Sequence, residues 1–140
     1  MSNNKSGIKD KELILEAKKA MKSAYASYSN FKVGAALLSS SGKVFTGANL
    51  ENSSFGLTVC AERVALYKAL SSGEKEFTKI AVTASAEKPI TPCGLCRQAL
   101  FEFSPDLKVI CSNLKGKVRK FTLKQLLPHP FGYDRKRKGK

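Results

Sequence analysis

The order of elements in this chain predicts an α/β fold, a three-layer α/β/α sandwich built on a five-stranded mixed sheet. Three observations lead there. An apolar stripe of helical period near the start is followed by two strand-like runs joined by a tight turn. Strand-like and helix-like segments then alternate. Two final strand-like runs are joined by a polar turn and followed by a short apolar helix. That order fits several folds of this architecture and does not choose among them.

Residues 1–9 read as a lead-in. Asp10 reads as a helix cap, after which Leu13, Ile14, Ala17, Ala20, Met21 and Ala24 recur at helical spacing with lysines and glutamates opposite them. This is the pattern of a helix packed on a sheet. Tyr25-Ala-Ser-Tyr-Ser-Asn30 breaks it with small polar residues. Val33–Leu38 reads as a strand, Ser39-Ser-Ser-Gly42 as a turn and Val44–Ala48 as the return strand of a hairpin. The polar stretch Asn49–Gly56 follows as a loop. A second helix is expected to begin close to Cys60, with Val64, Ala65, Leu66, Ala69 and Leu70 on its apolar face and Ser71-Ser-Gly73 as its stop.

Ile80–Ala84 is a short β-branched strand. A third helix opens at Pro92 or Cys93, proline at a first helical position being a start signal, and runs to about Phe103. Lys108–Ser112 and Val118–Thr122 are strands joined by Asn113-Leu-Lys-Gly116, and Thr122–Leu127 forms a last short helix stopped by Pro128. The pattern contains no internal repeat. It predicts one domain over residues 1–134 and a basic tail over 135–140 that is expected to be disordered.

Length and composition narrow the function classes. A chain of 140 residues, 42% apolar and 26% charged, suits one globular domain with a real core. No apolar run is long enough to span a bilayer, so no membrane role is expected. The opening residues lack the apolar stretch of a secretion signal, and four cysteines fit a reducing compartment, so a cytoplasmic location is expected. The net charge of +14 raises nucleic acid as a partner. A solubilising lysine surface explains it more simply, and no basic-aromatic interleaving stands near the candidate site described next.

The chemistry is concentrated in Cys60-Ala61-Glu62 and Pro92-Cys93-Gly94-Leu95-Cys96. Cys93 and Cys96 have the spacing that lets two thiolates hold one metal ion, and Cys60 can be a third ligand brought in from elsewhere. Three protein ligands are the count of a catalytic zinc site rather than a closed structural one. Glu62, two residues after a ligand, can serve a water at the metal without being a ligand. A helix start at Cys60 and at Cys93 would favour the thiolates, because the helix N-terminus carries positive partial charge. Three thiolates on Zn²⁺ sum to a net charge of about −1 and weaken its Lewis acidity. Arg63 is a candidate to offset that by donating hydrogen bonds to the sulfurs. Two blander readings compete. A redox pair at Cys93 and Cys96 leaves Cys60-Ala-Glu unexplained. A closed structural site needs a fourth ligand, and Cys111 reads as an ordinary buried strand thiol while His129 stands far along the chain between prolines.

These two stretches resemble the signature of zinc-dependent deaminases, in which Cys or His, any residue and Glu are followed further along by Pro-Cys-x-x-Cys. The likeness extends to Phe31–Leu38, Gly47–Asn52, Cys60–Arg63, Pro92–Gln98 and Leu126–Phe131, so that nearly the whole chain resembles the small homotetrameric cytidine deaminases. The resemblance implies their three-layer fold, one Zn²⁺ per subunit held by Cys60, Cys93 and Cys96, and hydrolysis of cytidine and deoxycytidine to uridine and deoxyuridine with loss of ammonia, in pyrimidine salvage. It implies that Glu62 takes a proton from the activated water, protonates N3 of the pyrimidine and assists the departing amino group. It further implies that Asn49 and Glu51 hold the ribose, that Ala61 and Phe31 lie beside the nucleoside, and that Ser54, Phe55 and Phe131 come from a neighbouring subunit.

A carboxylate at Glu51 suits a ribose hydroxyl and repels a phosphate, so a free nucleoside is the expected substrate and nucleic acid is not. An aminonucleoside-antibiotic deaminase of the blasticidin type is the alternative within the family, disfavoured by the Asn49-Leu-Glu51-Asn52 loop. A polynucleotide cytosine deaminase is a weaker alternative, suggested only by the charge. The chain departs from many relatives at Ala48 and Phe55, and at His129-Pro130 before Phe131.

Overall fold

The computed structural model describes residues 8–132. The expected lead-in before Ile8 and the basic 135–140 tail therefore lie outside the described residues. Helix α1 spans Asp10–Ala20 and continues as a 3-10 turn over Met21–Ser23. Strands β1 (Val33–Ser39) and β2 (Val44–Ala48) form the expected hairpin, followed by a 3-10 turn at Phe55–Leu57. Then come α2 (Ala61–Ser71), β3 (Phe77–Ala84), α3 (Gly94–Phe103), β4 (Lys108–Asn113), β5 (Val118–Thr122) and α4 (Leu123–Leu126). β3 begins earlier than its β-branched run, because Phe77 and Thr78 complete the ladder with β1.

The sheet runs β2-β1-β3-β4-β5, five strands in which only β3 and β4 are parallel neighbours. β1, buried at all seven positions, lies inside the sheet. β2 and β3 are both antiparallel to β1 and hence parallel to each other, so α2 is a crossover over β1 and α3 is a second crossover from β3 to β4. Both crossovers progress the same way along the sheet. Right-handed connection puts such helices on the same face, and their N-termini then emerge at the same sheet edge.

Side-chain alternation divides the core accordingly. Ala35, Leu37, Ile80, Val82 and Val109 face α2, α3 and α4, packing with Ala65, Leu66 and Leu100. Ala36, Leu38, Ala81 and Ile110 face α1 through Leu13 and Ala17. Each fully buried leucine or isoleucine contributes about 1.5–3 kcal/mol. This three-layer arrangement is the predicted one.

Asp10 is the first helical residue rather than the cap. The helix is capped from Lys9, whose backbone N–H donates to the Glu12 carboxylate at 2.9 Å. Asp10 is drawn instead into ion pairs with Lys79 on β3 and Lys120 on β5, each at 2.8 Å. It thereby ties α1 across the sheet. On the other face, Gly47 sets the height of α2. A Cβ there would stand 2.5 Å from the Ala61 carbonyl oxygen and 2.6 Å from the Ala65 nitrogen. Only glycine lets β2 approach the first turn of α2 this closely.

Candidate metal centre and its cavity

Cys60 and Cys93, remote in sequence, are the N-cap residues of α2 and α3. The paired crossovers bring the two helix starts together. Neither sulfur caps its own helix, so both are left for another role. Cys96 follows in the first turn of α3 and is fully buried. Cys60 Sγ lies 3.7 Å from Cys93 Sγ, and Cys93 Sγ lies 3.6 Å from Cys96 Sγ. All three sulfurs fall within 4.8 Å of one another. Sulfurs at the corners of a zinc tetrahedron with Zn–S of ~2.3 Å are separated by about 3.8 Å. The three thiols therefore fit Zn²⁺ both in donor type and in spacing. Among the described residues this cluster contains three ligand side chains, the number that leaves a position for chemistry. Cys111 is buried in β4 outside the cluster, its thiol pushed up to about 12 chiefly by burial, and His129 is exposed.

Of these thiols Cys60 ionises the more readily and Cys96 holds its proton the more firmly. The hydrogen bond with Cys96, aided by Arg63 and opposed by burial, pulls the Cys60 thiol down to about 5. The Cys96 thiol is raised in turn by its hydrogen bond to Cys60 and by burial. Arg63 Nη2 donates to Cys60 Sγ at 3.7 Å. Burial works against the Arg63 charge, but the sulfurs of Cys60 and Cys96 outweigh it and hold the guanidinium cationic. Its Nε is buried without a hydrogen-bond partner, so part of the guanidinium is desolvated.

Beside the cluster opens a cavity of about 340 Å³, within the range of small-molecule sites. Cys60, Cys93 and Glu62 line it together with Phe31, Asn49, Glu51 and Ala61. Glu62 is only 3% exposed, and burial raises its carboxyl to about 7, with the negative Cys60 adding to the effect and backbone hydrogen bonding and Arg63 opposing it. A group so tuned can accept a proton and return it near neutral pH. Glu51 accepts hydrogen bonds from the Tyr28 and Ser29 backbone N–H groups at 2.9 and 3.1 Å, and from the Ser29 hydroxyl. The Ser29 hydroxyl is the main cause of its lowered pKa, so Glu51 stays anionic.

Asn49 is held differently from an open ligand-binding amide. Its Oδ1 accepts from the Val33 N–H at 2.9 Å, and its Nδ2 donates to the Phe31 carbonyl at 2.8 Å. It thus fixes the backbone on both sides of Lys32 while retaining one further N–H and one lone pair. Ser54, Phe55 and Phe131 do not line the cavity. Phe55 is 73% exposed with its ring edge on Tyr28, and Phe131 is 69% exposed.

Sequence reasoning gave no role to four residues that build the site. Ser29 orients Glu51. Thr91 is in the cavity wall and accepts from Arg97 Nη2 at 2.8 Å. Arg97 also donates to the Pro92 and Leu126 carbonyls, each at 2.7 Å. Gln98 grips the backbone of Phe131 at both its N–H and its carbonyl. The signals for the last two were their place directly after Cys96 and within the Pro92–Gln98 likeness, neither of which names partners so distant along the chain.

Comparison with known proteins agrees with this site. The family model described as the cytidine and deoxycytidylate deaminase zinc-binding region matches residues 8–112. The chain is similar to the cytidine deaminase of Halalkalibacterium halodurans, with 51% identity over 120 residues, covering 85% of this chain and 91% of that one. It is 47% identical over 124 residues to the cytidine deaminase of Sporosarcina psychrophila, covering 88% and 91% of the two. Among solved structures, the crystal structure of cytidine deaminase from Burkholderia pseudomallei superposes with a TM-score of 0.86 at 49% identity, over 89% of this chain and all of that one.

Proposed function

The chain belongs to the cytidine and deoxycytidylate deaminase family, and we propose that it hydrolyses the 4-amino group of cytidine and deoxycytidine, giving uridine and deoxyuridine with ammonia. The observation that carries this reading is the sharing of one cavity by the Cys60 and Cys93 sulfurs, the buried Glu62 carboxyl and the anionic Glu51. Cys60, Cys93 and Cys96 would hold the zinc, whose Lewis acidity makes a water nucleophilic at neutral pH.

Glu62 takes one proton from that water and passes it to N3, which makes C4 electrophilic as the water oxygen adds there. The remaining proton reaches the amino group by way of the same carboxyl, and the C4–N bond breaks to release ammonia. Arg63 keeps charge off the sulfurs, while Glu51 accepts a hydrogen bond from a ribose hydroxyl and Asn49 offers its remaining N–H. Phe31 forms an apolar wall beside the nucleoside. A phosphate on the hydroxyl that Glu51 accepts would meet a fixed anion, which favours the free nucleoside over a polymer.

In this reading residues 1–134 form one catalytic domain, as supported by the single sheet that runs through the described elements. The protein works as a homotetramer in which Ser54, Phe55 and Phe131 complete the pocket of a neighbouring subunit. Their exposure outside the chain's own cavity supports this. Cytoplasmic placement is supported by the three clustered thiols, which need a reducing compartment. Among the described residues no helix is long and apolar enough to cross a membrane.

The deciding experiment is loss of cytidine absorbance near its ultraviolet maximum, with zinc measured on the same sample and an aminonucleoside antibiotic as the parallel substrate. Turnover of cytidine by zinc-loaded protein is expected. Turnover of the antibiotic alone would move the assignment to the runner-up.

A further inference from the structure

The two residues that follow the last proposed metal ligand both reach to the C-terminal segment. Arg97 donates through Nη1 to the Leu126 carbonyl at 2.7 Å. Gln98 donates through Nε2 to the Phe131 carbonyl at 2.8 Å, and accepts the Phe131 N–H on Oε1 at 3.1 Å. The same helix, α3, therefore carries Cys93 at its cap, Cys96 in its first turn, and then a bracket on each end of the segment from Leu126 to Phe131.

The geometry of the second contact is specific. One hydrogen bond leaves a peptide free to swing about it. Two, made by a planar amide to the N–H and the carbonyl of the same residue, fix the backbone's orientation and with it the direction of Cβ. Pro128 and Pro130 stiffen the chain between the brackets by fixing φ at two of the intervening residues. The result is an aromatic ring 69% exposed on a backbone held at both ends. Leu95, three residues before Gln98 on the helix and 68% exposed, adds a second apolar side chain beside the bracket. A merely solvated side chain has no need of such restraint, and Phe131 does not line the chain's own cavity.

We propose that Gln98 is a positioning residue for the deamination reaction. It sets the direction in which Phe131 is presented to a neighbouring copy's pocket, with Arg97 as the anchor at the other end of the segment. This rests on the reading that Phe131 completes that neighbouring pocket. Because the brackets come from α3, the frame that holds one subunit's sulfurs also holds the ring offered to the next. Gln98 makes no contact with the reacting atoms and acts through Phe131.

The test is a double-mutant cycle on the zinc-loaded protein, with Gln98→Met, Phe131→Ala and the double variant. The readouts are cytidine KM and kcat, zinc per subunit and mass by light scattering. Methionine preserves the length of Gln98 and removes the amide clamp. Loss of a ring that stacks on the base raises KM on the order of tenfold, so Phe131→Ala is expected to do that. Gln98→Met should raise KM several-fold with zinc content unchanged, and the double variant should be no worse than Phe131→Ala alone. A wild-type KM in Gln98→Met, or a double variant whose defect is the product of the two singles, overturns the proposal. So does zinc loss in Gln98→Met, which would make the residue a support of the metal helix instead. A wild-type KM in Phe131→Ala is a different failure. It removes the neighbouring-pocket reading itself, and the role of Gln98 with it.

Discussion

The side-chain amide of Asn49 donates to the Phe31 carbonyl at 2.8 Å, so one cavity-lining residue holds the backbone of another, the aromatic Phe31 just before β1. Its oxygen accepts from the next buried N–H along, that of Val33. A place in the cavity wall and support of the backbone are therefore joined in one side chain. Asn49→Ala leaves a buried donor and acceptor unsatisfied, at about 1–3 kcal/mol each. Expected are a lower urea midpoint and a raised KM together. A raised KM with unchanged stability would show that the backbone contacts carry no weight.

Glu62→Gln keeps the shape of the carboxyl and removes its proton exchange. Turnover should fall by about 10²–10⁴-fold while zinc per subunit stays at the wild-type value. The sign of the stability change is also fixed. A carboxyl raised from 4.5 to about 7 by burial favours the folded state only while protonated, so its penalty grows as pH rises from 4.5 and levels off above 7. Metal-free Glu62→Gln should therefore melt higher than metal-free wild type at pH 8, with the gap closing toward pH 4.5.

Arg63→Ala removes the cation that Cys60 Sγ faces at 3.7 Å. Zinc should be lost faster to a chelator, and turnover should fall even when zinc is supplied in excess. Unchanged values of both would remove Arg63 from the metal centre's electrostatics.

Gly47→Ala places a methyl group 2.5 Å from the Ala61 backbone oxygen, where neither partner is a side chain that can turn away. Overpacking of this kind costs about 1–3 kcal/mol. Because the strained turn begins at Cys60, zinc content should fall along with thermal stability. Circular dichroism melts and metal analysis on one preparation check both.

Asp10 is held below the ordinary carboxylate range by hydrogen bonds from Lys120 and Lys79. A depressed pKa contributes stability above the unfolded value near 3.8 and loses it as pH falls through the folded value. Asp10→Asn should cost on the order of 1 kcal/mol at pH 7, the upper range for partly exposed ion pairs. Wild type and variant should converge in stability once the pH has fallen below the folded value. Curves that stay parallel through that acid limb would mean the pairs do not stabilise the fold.

Most elements were legible because their signals are local. The hairpin followed from Val33–Leu38, the Ser39–Gly42 turn and Val44–Ala48, and the structure has strands at those positions. Cys60-Ala-Glu62 and Cys93-Gly-Leu-Cys96 were legible because ligand spacing within one turn is a chain property. The opening of α3 was misplaced, since its first helical residue is Gly94 with Cys93 as the cap and Pro92 before it. Asp10 was misplaced too, because the same residue type serves as a helix cap or as an ion-pair partner. Lysines on β3 and β5, far away in sequence, decide between those roles.

By itself the sequence determined the donor set, the neighbouring carboxyl and the succession of helices and strands, since each depends on residues a few positions apart. The tertiary structure alone decided that Cys60 comes within 3.7 Å of Cys93, that Asn49 is half committed to the backbone, and that Gln98 holds Phe131. The physical reason is common to all three. Hydrogen bonds and metal ligation act over a few ångströms, and two crossovers progressing the same way along the sheet determine which distant segments come that close.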